Sequence, residues 1–285
     1  MGISSYIAFR GIAFIGIMTK KPMKSTFFVL TAMFACAGPL AAGTQLETIA
    51  NANASTVDWA RGPWVYSSGN FYGASQFGGA SSMGSLFRCD PATGQYFLLH
   101  SFSGGNGGTS PSTGLFESPT NGRLYGTTYG GMHNAGTLYR IDKPGNFFET
   151  LHQFTAASGG NPDGIPMQAS NGKLYGVVGT GGDNGFGGIY SINLDGSGYQ
   201  LLRSFAGTGG GTRGKGLNCT GLVEGPGGIL YGVTETGGSE DKGVFFAMSL
   251  NGLTYNVFRE WPASGLRKPA HERSSQARPT APPRE

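Results

Sequence analysis

Apolar and aromatic residues along this chain fall in short extended runs separated by glycine-rich turns, and the runs recur with a long period. The clearest marker is a tripeptide that returns four times: Phe71-Tyr72-Gly73, Leu124-Tyr125-Gly126, Leu174-Tyr175-Gly176 and Leu230-Tyr231-Gly232. Its tyrosines are 53, 50 and 56 residues apart, and a Gly-Gly pair follows each tyrosine after five or six residues. A period of that size marks a repeated structural module rather than a short motif.

The third copy shows what the module contains. Residues 166–171 predict a short first strand closed by Asn171-Gly172, a strong hairpin signal because a type I′ turn needs positive φ at both central positions. Residues 174–178 predict a second strand, and the loop 179–187 leads to a third over 188–192. Asp195-Gly196 predicts another tight turn, and 199–205 a fourth strand. The third-strand aromatics Phe87, Tyr139, Tyr190 and Phe246 come 14 or 15 residues after the tripeptide tyrosines. The fourth strands end at Phe102, Phe154, Phe205 and Trp261, each 15 residues further on. One small four-stranded sheet cannot bury both faces alone, so neighbouring sheets must stack. The expected fold is therefore all-β, a β-propeller-like array of four-stranded blades with about four recognisable, over residues 43–261. A parallel β-helix fits less well, having shorter repeats and no hairpin turns.

Composition supports many short strands. Glycine is 52 of 285 residues, far above the ordinary ~7% and without a collagen period. Aromatics reach 12%, against the low content of disordered chains. The formal charge of +4 is carried at the ends. Residues 1–42 hold Arg10, Lys20, Lys21 and Lys24 and no acid, 259–285 hold a net +3, and 43–258 hold a net −3. A nucleic-acid binder needs a basic face to displace counterions, so that class is excluded for the repeat body.

Lys20, Lys21 and Lys24 precede an apolar run over 27–37 and then Gly38-Pro39-Leu40-Ala41-Ala42-Gly43. Basic, apolar and small-residue segments in that order predict a signal peptide region over 1–42, cleaved after Ala42 or Ala37. Residues 1–17, ahead of Met18 and Met23, read as a start-site extension. The run is too short for a transmembrane helix, which needs about 20 apolar residues. The mature chain is thus expected to lack a transmembrane anchor and to be secreted or at the cell surface. Cys36 follows Met33-Phe34-Ala35, a poor lipoprotein match. Cys89 and Cys219 occupy different repeat positions and read as two lone buried thiols, with no C-x-x-C metal spacing.

The segment 122–131, with Gly136-Thr137-Leu138-Tyr139 and Leu151-His152-Gln153-Phe154, resembles the GloVer-type tandem repeat of exported bacterial proteins, often grouped as choice-of-anchor repeat proteins. The resemblance covers about residue 45 to Trp261. It implies a bacterial, exported, propeller-like protein and carries over no catalytic residues.

Two features depart from a complete array. Residues 262–285 are rich in Pro, Arg and Ser without aromatics, which predicts a disordered tail. Leu46-Glu47-Thr48-Ile49 matches Phe148-Glu149-Thr150-Leu151, a fourth strand ahead of any complete repeat. Together they suggest a truncated or frameshifted member forming an open four-blade arc, against a closed four-blade ring with that strand loosely attached.

Candidate chemistry is sparse. Gly209 to Lys215 imitates a phosphate loop, but Gly216 stands where Ser or Thr must bind magnesium and no helix follows. His100 and His152 share one repeat position, filled by Arg203 and Arg259 in the other copies. On separate blades they cannot converge on a metal, and they read as polar positions on outer strands. His133 stands alone in a loop. Asp183-Asn184-Gly185 and Asn161-Pro162-Asp163-Gly164 offer calcium-type oxygens, yet turn-forming Asx residues explain them. Glu117, Glu224 and Glu235 look scattered and loop-like. The connectors 103–110 and 206–216 are the candidate binding face. No catalytic, metal or cofactor site is assigned. The reading is an exported non-catalytic scaffold for binding or adhesion, with an extracellular glycan or protein as candidate partner. The alternative is a polysaccharide-acting enzyme with its site at the propeller channel.

Overall fold

The computed structural model describes residues 57–207 and 221–260, together with the short strand segments Ile7–Phe9, Ile12–Phe14, Val29–Thr31 and Thr48–Asn51. Four antiparallel sheets follow one another along the chain. Sheet I holds Asp58–Ser67, Asn70–Phe77, Ser85–Asp90 and Gln95–Ser101. Sheet II holds Thr109–Pro111 and Phe116–Glu117, both paired to Leu124–Gly130, then Thr137–Ile141 and Phe148–Gln153. Sheet III holds Gly160–Gln168, Leu174–Thr180, Gly188–Ile192 and Gln200–Ser204. Sheet IV holds Leu222–Gly225, Ile229–Val233, Val244–Ser249 and Tyr255–Glu260. The chain is all-β and propeller-like, as the repeat period predicts.

Each tripeptide lies on the second strand of its sheet, and its glycine pairs with the third-strand aromatic. The pairs are Gly73 with Phe87, Gly126 with Tyr139, Gly176 with Tyr190 and Gly232 with Phe246. Each ring folds across its glycine. A β-carbon at Gly73 would lie 2.5 Å from the Phe87 ring, and at the other three it would collide with Tyr139, Tyr190 or Phe246. Glycine weakens a strand unless a close approach requires it, and here a ring requires it. The register to the fourth strand slips just before each aromatic, at Leu86/Phe87, Leu138/Tyr139, Ile189/Tyr190 and Phe245/Phe246. Such bulges re-aim a side chain.

The rings feed three cores between successive sheets. Tyr72, Leu86 and Phe102 of sheet I meet Leu124, Tyr139 and Ile141 of sheet II. Tyr125, Leu138 and Phe154 meet Leu174, Tyr190 and Ile192. Tyr175, Ile189 and Phe205 meet Leu230, Phe246 and Met248. At every junction the phenylalanine ending one fourth strand meets the next third-strand aromatic edge-on, at 5.4, 5.3 and 6.1 Å between centroids. Full burial of such a ring stabilises by about 1.5–3 kcal/mol, and an edge-on pair adds about 0.5–1.5 kcal/mol. No core cluster of the described residues joins sheet I to sheet IV.

Three expectations change. The Asn-Gly turn is not type I′: Asn171 has no positive φ, Gly172 has φ 82°, and the Gly172 N–H donates to the Ala169 carbonyl at 2.9 Å. It is an ordinary turn ended by a left-handed glycine. The first strand of sheet III is Gly160–Gln168 rather than 166–171, with its register broken between Asp163 and Met167. Its Pro and Gly content made the leading half read as loop. Thr48–Asn51 is a strand, but it pairs with Val29–Thr31 and joins none of the four sheets. The remaining residues of the signal region 1–42, the tail 262–285, Trp261, Cys219 and the Gly209 to Lys215 motif lie outside the described residues. Cys89 is buried with a free thiol.

Replacing Gly176 by Ala forces the Tyr190 ring out of its seat. The expected loss is about 1–3 kcal/mol, a fall in Tm of roughly 2–4 °C per kcal/mol for a chain of this size. Gly107→Ala, where a β-carbon meets nothing within 4 Å, should leave the thermal melt unchanged.

Candidate functional site

Most polar side chains at repeat-equivalent positions serve the junctions between sheets. The tripeptide tyrosines reach across. Tyr125 accepts from Asn121 Nδ2 at 2.9 Å and donates to the Leu194 carbonyl of sheet III at 3.2 Å. Tyr175 accepts from Asn171 at 2.8 Å and donates to the Leu250 carbonyl of sheet IV at 2.9 Å. Burial, chiefly, raises the Tyr175 pKa, and the Glu224 charge adds to it against the opposing Asn171 hydrogen bond.

Glu117, Gln168 and Glu224 all lie on first strands, opposite the leading leucine of the tripeptide. Each clamps the hairpin turn of the preceding sheet. Glu117 accepts from Ser67 Oγ at 3.1 Å and pairs with Lys143. Gln168 accepts from Ser118 Oγ at 2.7 Å and donates to Thr120 Oγ1 at 2.7 Å. Glu224 accepts from the Ser170 N–H at 2.7 Å and its hydroxyl at 2.5 Å. Glu117 and Glu224 are therefore not loop-like and not scattered, whereas Glu235 does lie in a loop.

His100 and His152 do not converge, but neither are they simple outer-edge positions. His100 stacks flat on Phe148 of the next sheet at 3.7 Å, and His152 on Tyr199 at 3.8 Å. Arg203 does the same over Tyr255 at 4.8 Å. Burial lowers the His100 pKa, and it pushes that of His152 down to about 4. The His152 Nε2 is buried without a hydrogen-bond partner.

One position breaks the symmetry. The cross-strand partners of the four tripeptide tyrosines are Arg88, Arg140, Ser191 and Ala247. Their own fourth-strand partners are Phe97, Glu149, Gln200 and Asn256. Between sheets I and II, Arg88 lies over the Phe97 ring at 4.3 Å. Between II and III, Arg140 bridges Glu149 at 2.6 Å and donates to the Leu194 carbonyl at 2.8 Å. Between III and IV, Ser191 and Gln200 are too short to fill that space. An open cleft of about 250 Å³ results, lined by Asn171, Lys173, Tyr175, Ser191, Gln200 and Asn251 with Leu202 and Leu250. The lining offers one ammonium, three side-chain amides and two hydroxyls. A side-by-side reading of the residue that follows each third-strand aromatic, Arg, Arg, Ser, Ala, would have exposed this break in the sequence.

The other candidates fall away from the cleft. The connector 103–110 is pinned to sheet II, where the Asn106 carbonyl accepts from Thr150 Oγ1 at 2.8 Å and Gln153 Nε2 at 2.6 Å. Most of the connector 206–216 lies outside the described residues. Asn161 to Gly164 belongs to the first strand of sheet III rather than to an oxygen loop. His133 and Asp183 sit in loops, and the Asp183 N–H donates to Ser204 Oγ at 2.9 Å. Among the described residues, no group of three or more His, Cys, Asp or Glu could hold a metal ion.

Stacked four-stranded sheets tied by repeat-equivalent side chains define a propeller-like repeat protein. The chain belongs to the Gloeobacter/Verrucomicrobia repeat family, whose sequence profile matches residues 39–221. Sheet IV keeps the repeat's register beyond that segment. Among curated proteins none matches this chain. The similar solved structures are all well under 25% identical to this chain. An extracellular domain from B. thetaiotaomicron, described as that of a one-component system, is 8% identical with a TM-score of 0.50, over 93% of this chain and 28% of that one. A structure of the nidogen/laminin complex is 14% identical with a TM-score of 0.49, over 78% and 73%. TolB from Acinetobacter baumannii is 14% identical with a TM-score of 0.46 over 77% of this chain, which spans 47% of the TolB chain.

The half-buried histidines set an acid limit on stability. A folded-state value below the unfolded ~6.5 means that the stabilisation is complete above about pH 6.5. It is lost as pH falls toward 4, because the unfolded chain takes up the proton first. The denaturation midpoint of the wild type should fall over that window. In His152→Phe, which keeps the stack on Tyr199 without a titrating group, it should fall less.

Proposed function

We propose that this chain is an exported repeat scaffold that binds an extracellular glycan, without turnover, in the cleft between sheets III and IV. The observation that carries the reading is the loss, at the junction of sheets III and IV, of the arginine that stands at this position in the other two, Arg88 and Arg140, with Ser191 in its place. Packing explains the arginine positions in sheets I and II. It does not explain leaving a polar gap in sheet III beside Lys173.

The lining suits a sugar. Amides and hydroxyls both donate and accept, matching vicinal hydroxyl groups. Lys173 Nζ adds one cation, which favours a carboxylated sugar. Leu202 and Leu250 supply the apolar patch that a sugar ring covers. The volume lies just below the ~300–1,000 Å³ of ordinary small-molecule sites, enough for one monosaccharide-sized group at a chain end. No carboxylate, histidine or cysteine lines the cleft, which favours binding over hydrolysis. Export rests on the basic, apolar and small-residue order of residues 1–42, and no described helix is long and apolar enough to cross a membrane.

The double variant Ser191→Arg/Gln200→Glu transplants the sheet II pair into sheet III. It should fill the cleft and weaken glycan binding about tenfold or more, with Tm unchanged or raised. A glycan array followed by calorimetry on both proteins measures this. Equal binding by the filled variant would remove the cleft from consideration, and turnover of a polymer by the wild type would overturn the non-catalytic reading.

A further inference from the structure

The polar groups that the cleft between sheets III and IV leaves free have a definite chemical bias. Ser191 is 2% exposed, lines the cleft and makes no side-chain hydrogen bond to any described residue. A hydroxyl held at that depth costs stability until a partner satisfies it. The acceptors around it are largely occupied. The Asn171 Oδ1 accepts from the Lys173 N–H at 3.2 Å. The Asn251 Oδ1 accepts from the Ser249 hydroxyl at 2.7 Å and the Leu253 N–H at 3.1 Å. The Asn251 Nδ2 and Lys173 Nζ have no described partner, so spare donors outnumber spare acceptors.

Lys173 lines the cleft because the ring that holds its counterpart is missing. In sheet II the residue before the tripeptide is Arg123, which lies over the Phe147 ring at 4.7 Å. The matching residues of sheet III are Lys173 and Gly198, so this cation has no ring to rest on.

The other fixed feature is an acceptor. One junction earlier, the Leu194 carbonyl accepts from the Tyr125 hydroxyl at 3.2 Å and from Arg140 Nη1 at 2.8 Å. The matching Leu250 carbonyl accepts from the Tyr175 hydroxyl at 2.9 Å and from no other described residue. With Ser191 in place of the arginine, its second lone pair is left without an N–H. Leu202 and the Leu250 side chain line the same cleft.

We infer, resting on the glycan cleft proposed above, that its occupant is a chain-end sugar bearing both a carboxylate and an acetamido group. The carboxylate accepts from Lys173 Nζ and Asn251 Nδ2, in charge-assisted bonds stronger than those to a neutral hydroxyl. The acetamido N–H donates to the Leu250 carbonyl, as Arg140 does to Leu194. Its methyl group covers Leu202 and Leu250, which a ring hydroxyl in the same place would leave bare. Ser191 and Gln200 remain for the ring hydroxyls. The ligand thus takes over both the hydrogen bond and the filled space that an arginine supplies at the junction before.

Calorimetry on the full-length chain tests this with four free sugars. N-acetylneuraminic acid and N-acetylmuramic acid carry both groups, glucuronic acid only the carboxylate, and N-acetylglucosamine only the acetamido group. At least one of the first two should bind at least about tenfold more tightly than either of the others. In Lys173→Met that sugar should bind at least about tenfold more weakly and lose its advantage over N-acetylglucosamine. An unchanged thermal melt of Lys173→Met separates lost binding from lost fold. Glucuronic acid or N-acetylglucosamine bound as tightly as the doubly substituted sugars would overturn the inference. So would an acidic sugar that Lys173→Met binds as well as the wild type does. Array capture of neutral glycans alone, lost when Ser191→Arg/Gln200→Glu fills the cleft, would overturn this occupant while keeping the cleft as a glycan site. An array that captures nothing would overturn both readings.

Discussion

The contact on which the rest of this structure depends is a ring laid across a glycine. In each sheet the third-strand aromatic folds over the tripeptide glycine of the second strand, and the slip in register beside it turns the ring toward the junction. Any side chain at that glycine would lift the ring and spread the two sheets. The tyrosine preceding it points to the opposite face and, in sheets I to III, reaches the next sheet. One tripeptide therefore supplies both faces of its sheet, which is why it recurs where other positions drift.

Individual sheets of this size are too small to bury their own apolar residues, so stability resides in the junctions. Four devices repeat there: the edge-on phenylalanine contact, the tyrosine hydroxyl on the next turn, the Glu or Gln clamp on the preceding turn, and the flat stacking of His or Arg on the next ring. Their consistency gives meaning to departures. Ser191 in place of arginine opens a polar cleft, and the rings of Tyr231, Phe245 and Phe258 lie against one another on a face of sheet IV that no other described sheet covers.

Much of the architecture was legible in the sequence. The constant separation of Tyr72 from Phe87 and Phe102, repeated in the other copies, marked the strands because packing fixes those distances. The segment 160–165 misled because Asn161-Pro162-Asp163-Gly164 has loop chemistry, while the structure uses it in an irregular first strand that tolerates proline. The clamps were invisible because Glu117, Gln168 and Glu224 differ in type and gain meaning only from the turn facing them. Asn171-Gly172 indicated a hairpin correctly but not the turn type, since the asparagine caps the turn with its side chain instead of adopting positive φ. The stacking of His152 was hidden because its partner, Tyr199, lies 47 residues away on the next sheet.

The central claim is that junctions, more than hydrogen-bonded ladders, hold the array together. Native-state hydrogen exchange tests it most directly, because among the described sheets sheet IV is stacked on sheet III alone. The second strands Leu124–Gly130 and Leu174–Thr180, covered on both faces, should exchange most slowly. Ile229–Val233 should exchange at least about tenfold faster, although its ladder is equally complete. Equal protection of all three strands would contradict the account.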